Sequence, residues 1–243
     1  MELKSNKTSG KLKDIIPENT INEIGNQIEK FLLDKKESSR ISQKYYLVKD
    51  NLDRITYLNE VKEVVDISIL KKFFNQILSA IILKPEKYTL ATSEMHIRWP
   101  DCEQIPPHQD NFYHCFQEVS SFKILIPITK YLMPNSFLNY AIVSTKQKTL
   151  NHIASATPAF SSYIPEIIIS KMNLQWINYK FNLGDILWHS INSIHYAEKN
   201  LTFNKSIFLV FRFDHIDSKI DFKMSKKYNL VFTEHKKLTN ITY

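Results

Sequence analysis

Ile105-Pro106-Pro107-His108-Gln109-Asp110-Asn111-Phe112-Tyr113 carries two potential metal ligands one residue apart, and His195 follows 85 positions after Asp110 (195 − 110). In an extended segment, side chains i and i+2 point to the same side. His108 and Asp110 are therefore expected to grip one ion while Gln109 faces away. Two histidines and one carboxylate on a triangular face, with positions open opposite, suit non-haem Fe(II) and oxygen chemistry. Alone, His-x-Asp is most often accidental. A solvated surface pair is the competing reading, and the surroundings must decide.

The second informative block is Gly184-Asp185-Ile186-Leu187-Trp188-His189, leading to His195. The chain has only three glycines, and Gly184 is the one beyond residue 25. A glycine at this place points to a backbone position with positive φ. Gly-Asp then reads as a tight turn feeding a strand, with His195 returning on the next one. A barrel can thus set His195 beside His108 and Asp110. The plainer alternative for His195 is a half-buried histidine with no ligand role.

Working outward, Ile21, Ile24, Ile28, Phe31 and Leu32 recur at helical spacing, with Asn19 or Thr20 available as a cap. A second helical stretch is expected from about Glu60 to Leu83, ended by Pro85. Beyond it the pattern changes to short β-prone runs: Tyr88–Trp99, Phe122–Ile128, Phe137–Val143, Ile167–Ile169, Trp176–Phe181, Ile186–His189 and Ser206–Phe213. Pro127 points to an edge or irregular strand. Short strands after helices predict a mainly β protein, a barrel or sandwich with helices packed outside. No repeat or low-complexity linker appears, so residues 1–243 are read as one domain. Residues 1–20 form a loose lead-in, 21–87 are mostly helical, 88–215 form the β core, and 216–243 are a C-terminal extension.

At 243 residues with 43% hydrophobic and 12% aromatic content, the chain can bury a sizeable core without staples. No apolar run approaches the ~20 residues of a membrane span. Met1–Lys13 is polar and Lys-rich, without the apolar stretch of a signal peptide. Cys102 and Cys115 fit neither a zinc ribbon nor a disulfide framework. A cytoplasmic protein is the expectation. The formal net charge is +7, but the lysines are scattered and make no basic arm, so the charge does not by itself call for nucleic acid.

The two motif blocks resemble the phytanoyl-CoA dioxygenase-like Fe(II)/2-oxoglutarate oxygenases. The stretch from Ile105 to Tyr113 is similar to their P-x-H-x-D-N strand followed by aromatics. Gly184 to Ser190, then His195 and Asn200, is similar to their G-D-x-x-x-[FW]-H-S-x-x-x-H-x-x-x-x-N block. Between them, Asn135-Ser136-Phe137-Leu138 and Ser144-Thr145-Lys146 resemble the N-G-x-L and P-G-S-H-K stretch in degraded form. The resemblance covers about residues 88–215. It implies a double-stranded β-helix, the cupin-like jelly-roll, with Fe(II) held by His108, Asp110 and His195. It also implies 2-oxoglutarate as co-substrate, molecular oxygen, and hydroxylation of an unactivated carbon of a small molecule with release of succinate and CO2. Asp110 argues against the halogenating variant, which replaces this carboxylate with a small residue.

The co-substrate needs a cation for its distal carboxylate. The family places an arginine about eleven residues after the third ligand, where this chain has Ser206. The candidates here are Lys123, then Lys205, then Arg212. Lys123 lies inside an apolar run, where an unpaired charge is costly. JmjC-type hydroxylases, which share the implied fold, use a lysine on the corresponding strand; the competing reading is a strand-end lysine reaching solvent. Glu94, His96 and Arg98 alternate along a strand and are expected to line the substrate cavity, unless they form a solvated sheet face. Asn111 and Tyr113 are expected to help close the pocket, and His189 to lie just behind the ligands. His114, His152, His215 and His235 belong to no visible constellation. Two other functions stay open: a jelly-roll metalloenzyme that does not use 2-oxoglutarate, and a non-catalytic basic protein of this fold that binds nucleic acid. The basic charge is compatible with an anionic substrate but does not choose one.

Overall fold

The computed structural model describes residues 3–4, 7–44, 47–50, 52–117, 121–130, 138–144, 147–157 and 160–239. In chain order the elements are β1 (Ser9–Leu12), α1 (Glu18–Leu33), α2 (Lys35–Lys44), β2 (Leu47–Lys49), β3 (Ile55–Asn59), α3 (Ser68–Ile81), β4 (Tyr88–Arg98), β5 (Ile105–His108) and α4 (Asn111–His114). There follow β6 (Ser121–Pro127), β7 (Leu138–Ala141), β8 (Ile153–Ala154), β9 (Ser162–Tyr163), α5 (Glu166–Lys171), β10 (Trp176–Asn178), β11 (Ile186–Ser190), β12 (His195–Ala197), β13 (Ser206–His215) and α6 (Phe222–Thr239).

The strands form a seven-stranded sheet, β1-β11-β6-β13-β4-β3-β2, a four-stranded sheet, β10-β7-β12-β5, and the small pair β8-β9. All pairings between these strands are antiparallel. This is the jelly-roll, with helices on the outside. Alternation within the large sheet explains its two layers. Phe122, Ile124, Ile126, Ile207, Leu209, Phe211, Ile186 and Trp188 join the core formed with Ile21, Ile24 and Ile28 of α1 and Leu70, Phe74 and Ile77 of α3. Their alternates Leu125, Leu187, Phe208 and Val210 face the small sheet and pack with Ala197, Ile105 and Leu138. Each sheet strand thus has one helix-covered and one barrel-facing side, as period-2 side-chain geometry requires.

Several local expectations need correction. The lead-in is not loose at residues 9–12: β1 pairs with β11 at the sheet edge. Its side chains are polar, but edge pairing is a backbone interaction. Residues 21–87 contain β2 and β3 as well as helices, and α2 is capped by Asp34, whose Oδ1 accepts from the amides of Lys36 and Glu37. Helix α1 begins at Glu18 with Pro17 at the cap position, and Asn19 Oδ1 accepts from the Thr20 amide within the first turn. The helix expected from Glu60 starts only at Ser68, because Glu60 is left-handed (φ 57°) and a 3-10 turn follows at Val61–Glu63. The β-branched run Ile167–Ile169 lies in α5, not in a strand; Pro165 precedes its first turn, and context outweighs a three-residue propensity. Strand β6 is not an edge. It runs between β11 and β13, and Pro127 is tolerated because it is the last residue of the ladder. Asn135–Phe137, Thr145 and Lys146 lie outside the described residues.

The extension ends in α6. Tyr228 lies edge-on to Phe112 and Tyr113, and the His235 Nδ1–H donates to the Ser155 carbonyl at 2.6 Å, so the helix covers α4 and the β8-β9 pair. Among the described residues, no helix is long and apolar enough to cross a membrane.

Gly184 meets its expectation: φ is +91°, and a Cβ there would lie 2.3 Å from the Ile16 carbonyl oxygen. That glycine's own carbonyl accepts from Ile15 and Ile16, while Asp185 accepts from the Asn182 and Asp14 amides. The turn therefore fastens the segment after β1 to the strand that leads to the site. Gly184→Ala combines a strained φ with a backbone clash, and it should lower unfolding free energy by ~2 kcal/mol or more. Urea denaturation would measure this; an unchanged midpoint would contradict the assigned turn.

Candidate metal centre

His108 is the last residue of β5, and Asp110 begins the turn into α4 with φ −59° and ψ −30°. The two side chains converge, but through this turn and not through a continuing pleat. His195 opens β12 and is the register partner of His108 on one side and Tyr140 on the other. The His108 and His195 rings lie 4.1 Å apart between centroids. One donor atom from each of His108, Asp110 and His195 falls within 4.8 Å of the others, and all three residues are buried.

Their hydrogen bonds set the donor set. His108 Nδ1 lies 3.0 Å from the Pro106 carbonyl, and His195 Nδ1 lies 3.0 Å from the Ser193 carbonyl. A carbonyl can only accept, so each Nδ1 carries the proton and each Nε2 keeps its lone pair for a metal. His189 Nε2 lies 2.9 Å from Asp110 Oδ2 and donates to it. Asp110 Oδ1 is 4.0 Å from His108 Nε2. This arrangement of two imidazole nitrogens and one carboxylate oxygen fits a divalent metal such as Fe(II).

Gln109 does face away, and it is fully engaged. Its side-chain amide donates to the carbonyls of Asn192 (2.8 Å) and Lys148 (3.1 Å) and accepts from the Leu150 amide (2.7 Å). Its backbone N–H donates to His152 Nε2 at 3.0 Å. His152 thus braces the peptide between the two ligands, a role that no motif marked in the sequence. The side chain of Asn111 bonds the backbone of Phe116 and the Thr149 hydroxyl in the loop beyond. Tyr113 packs edge-on to His108 and donates to the Ser162 carbonyl.

Across the barrel, Lys123 is 7% exposed and faces inward. Its Nζ is 3.4 Å from Asp110 Oδ1 and 3.7 Å from Glu94 Oε2. Burial works against the ammonium, but Asp110 and Glu94 outweigh it and hold its pKa above the ordinary lysine value. Burial likewise opposes ionisation of Asp110 and Glu94, and Lys123 leads the interactions that bring both below the carboxylate range. Glu94 also accepts from Thr92 Oγ1 and bonds His96 Nε2 at 3.0 Å. The result is a connected path of polar groups, Asp110–Lys123–Glu94–His96. Arg212 is the register partner of Lys123 and contacts His114, with Asp214 3.0 Å away.

Two expected residues stand elsewhere. Lys205 pairs with Glu29 of α1 at 2.7 Å and lies over the Trp99 ring, on the helix-covered side of the sheet. Arg98 donates to the carbonyls of Glu103 and Glu198, joining the loops that follow β4 and β12. Ser206, where the resemblance puts an arginine, is buried opposite Arg98 at the start of β13. Between it and the level of Lys123, the inner face is Phe208 and Val210, packed against Leu125 and Leu187.

No family model matches the sequence, and no curated protein matches it. The fold has many solved relatives at low identity. EctD from S. alaskensis aligns with a TM-score of 0.69 and 9% identity, covering 89% of this chain and 76% of that one. The non-haem alpha ketoglutarate dependent carbocyclase SnoK from nogalamycin biosynthesis gives 0.62 and 11%, covering 88% and 82%. EvdO2 from Micromonospora carbonacea var. aurantiaca, complexed with 2-oxoglutarate, gives 0.61 and 12%, covering 89% of both chains. These likenesses establish the cupin-like jelly-roll fold shared by non-haem iron, 2-oxoglutarate-dependent enzymes.

Burial holds His114 and His152 down to about 3, below the ordinary 6.5. The unfolded chain takes up these protons near pH 6.5, whereas the folded one stays neutral until about pH 3. Stability should therefore fall as pH drops below 6.5, each group costing roughly 1.4 kcal/mol per pH unit across that window. Urea midpoints should decrease between pH 7 and pH 5. Equal midpoints would mean that these histidines are not buried neutral.

Proposed function

We propose that this protein is an Fe(II)- and 2-oxoglutarate-dependent oxygenase of the phytanoyl-CoA dioxygenase-like kind, hydroxylating an unactivated carbon of a small molecule. The observation that carries the reading is the buried face of His108, Asp110 and His195, with both Nε2 atoms and a carboxylate oxygen available together. Bound Fe(II) would supply open positions at which the keto acid and oxygen react, giving succinate, CO2 and hydroxylated product. A cytoplasmic location belongs to the same proposal.

The chain's own groups divide the remaining work. His189 holds one oxygen of Asp110, which restricts how the carboxylate can turn toward the metal. Lys123 offers a buried positive charge for the keto acid's distal carboxylate, and Arg212 stands beside it on the next strand. The packed Leu125, Leu187, Phe208 and Val210 keep water from the deep end of the barrel. Glu94 and His96 lie on the same connected path as the metal face and are assigned to substrate contact, with Tyr113 as wall.

A second reading, a metal-dependent enzyme that does not use 2-oxoglutarate, rests on Ser206 standing where an arginine is expected. It is also favoured by Lys123 already having two carboxylate partners. An anaerobic titration of the Fe(II)-loaded protein with 2-oxoglutarate separates the two, since a visible charge-transfer band reports the chelate without knowledge of the substrate. Asp110→Ala should abolish Fe(II) binding and 2-oxoglutarate turnover, because it removes the anionic ligand. Lys123→Ala should leave Fe(II) binding intact and raise the apparent KM for 2-oxoglutarate ~10- to 100-fold, the worth of a hydrogen bond to a charged group. Lys205→Ala should change neither. Normal 2-oxoglutarate affinity in the Lys123 variant, with loss in Arg212→Ala, would move the anchor to the last strand.

A further inference from the structure

Tyr140 is a buried phenol on the wall of the small sheet. The residue is 0% exposed, and among the described residues its Oη has no hydrogen-bond partner. It sits on β7 opposite His195 in the antiparallel register, so its side chain stands on the same face of the small sheet as that ligand. Its ring lies 5.8 Å from the His195 ring at an interplanar angle of 24°, and 5.4 Å from the ring of His189. The neighbouring phenol Tyr179, 5.7 Å away, is different: its hydroxyl donates to the Ser9 carbonyl at 3.0 Å. An unmade hydrogen bond in a buried site costs about 1–3 kcal/mol. Phenylalanine would fill the same space without that cost, so the hydroxyl calls for a partner that the described residues do not supply.

The surroundings limit what that partner is. Tyr140 belongs to the wall that carries His195. A phenol hydroxyl carries its proton at neutral pH and can donate it to an acceptor. Leu125, Leu187, Ala197, Phe208 and Val210 pack together between the sheets and offer no side-chain acceptor, whereas the polar groups around Tyr140 are those of the metal face.

We infer that Tyr140 is a co-substrate-binding residue whose hydroxyl donates a hydrogen bond to a carboxylate oxygen of the keto acid bound at the His108–Asp110–His195 face. This rests on the 2-oxoglutarate reading above. It adds a neutral donor on the small sheet to the cation on the large one, in a barrel without an arginine at position 206.

Tyr140→Phe deletes one oxygen and tests this. The anaerobic Fe(II)-loaded protein is titrated with 2-oxoglutarate by charge-transfer absorbance and by calorimetry, and the thermal midpoint of the metal-free protein is measured in parallel. The expected result is unchanged Fe(II) affinity, a Kd for 2-oxoglutarate raised about tenfold, and a metal-free midpoint equal to or above the wild-type value. Wild-type 2-oxoglutarate affinity in the variant overturns the inference and leaves the oxygenase reading intact. A lowered metal-free midpoint also overturns it, since it would show that the hydroxyl has a structural partner. If wild-type protein binds Fe(II) but no 2-oxoglutarate, the oxygenase reading fails and the inference fails with it.

Discussion

The carboxylate of Asp110 is buried, and an unpaired buried charge costs several kcal/mol. Much of the barrel interior is arranged around that constraint. The small sheet brings Asp110 in behind the end of β5, and the large sheet answers it with His189 from β11 and Lys123 from β6. Lys123 in turn needs a second partner, which Glu94 on β4 provides. The polar groups in this layer depend on one another, while the apolar residues deeper in the barrel isolate them from water. A divalent metal would add positive charge to a place already built around a negative one.

The ligands are held mainly by backbone. Both histidines spend Nδ1 on the carbonyl two residues earlier, and the peptide between His108 and Asp110 is braced by His152. Gln109, sealed on the other side of the turn, ties this peptide to the segment at Lys148–Leu150 and to Asn192, three residues before the third ligand. Helix α6 covers the same region through Tyr228. The metal face is thus supported from behind by a dry polar lattice and from outside by a helix, the support that precise donor placement needs.

The departure from the expected arginine has a visible counterpart. Ser206 lies at the far end of β13, opposite Arg98, and the inward positions after it are Phe208 and Val210. Inward-facing cations occur at the level of the metal face: Lys123 and its register partner Arg212. That placement is the reason Lys123, Arg212 and Tyr140 carry the weight of the co-substrate proposal.

Chemically distinctive residues made much of this legible in advance. His108, Asp110 and His195 stood out by type and spacing, Gly184 by being rare, and the short apolar runs by their period. Other features depend on partners distant in sequence and could not be read locally. Residues 9–12 form a strand because β11 offers an edge, whereas Ile167–Ile169 lie in a helix despite their β propensity. Lys205 and Lys123 look alike as isolated lysines, yet one meets Glu29 outside the sheet and the other meets Asp110 within it. His152 and Tyr140 carried no motif, and only their places beside the metal segment distinguish them. The sequence by itself determined the candidate ligands and the alternating pattern of the sheets, because those follow from side-chain chemistry and a two-residue period. Which polar groups are buried, and against which partners, was decided only by the tertiary structure, because desolvation and pairing depend on what the other strands bring to the same place.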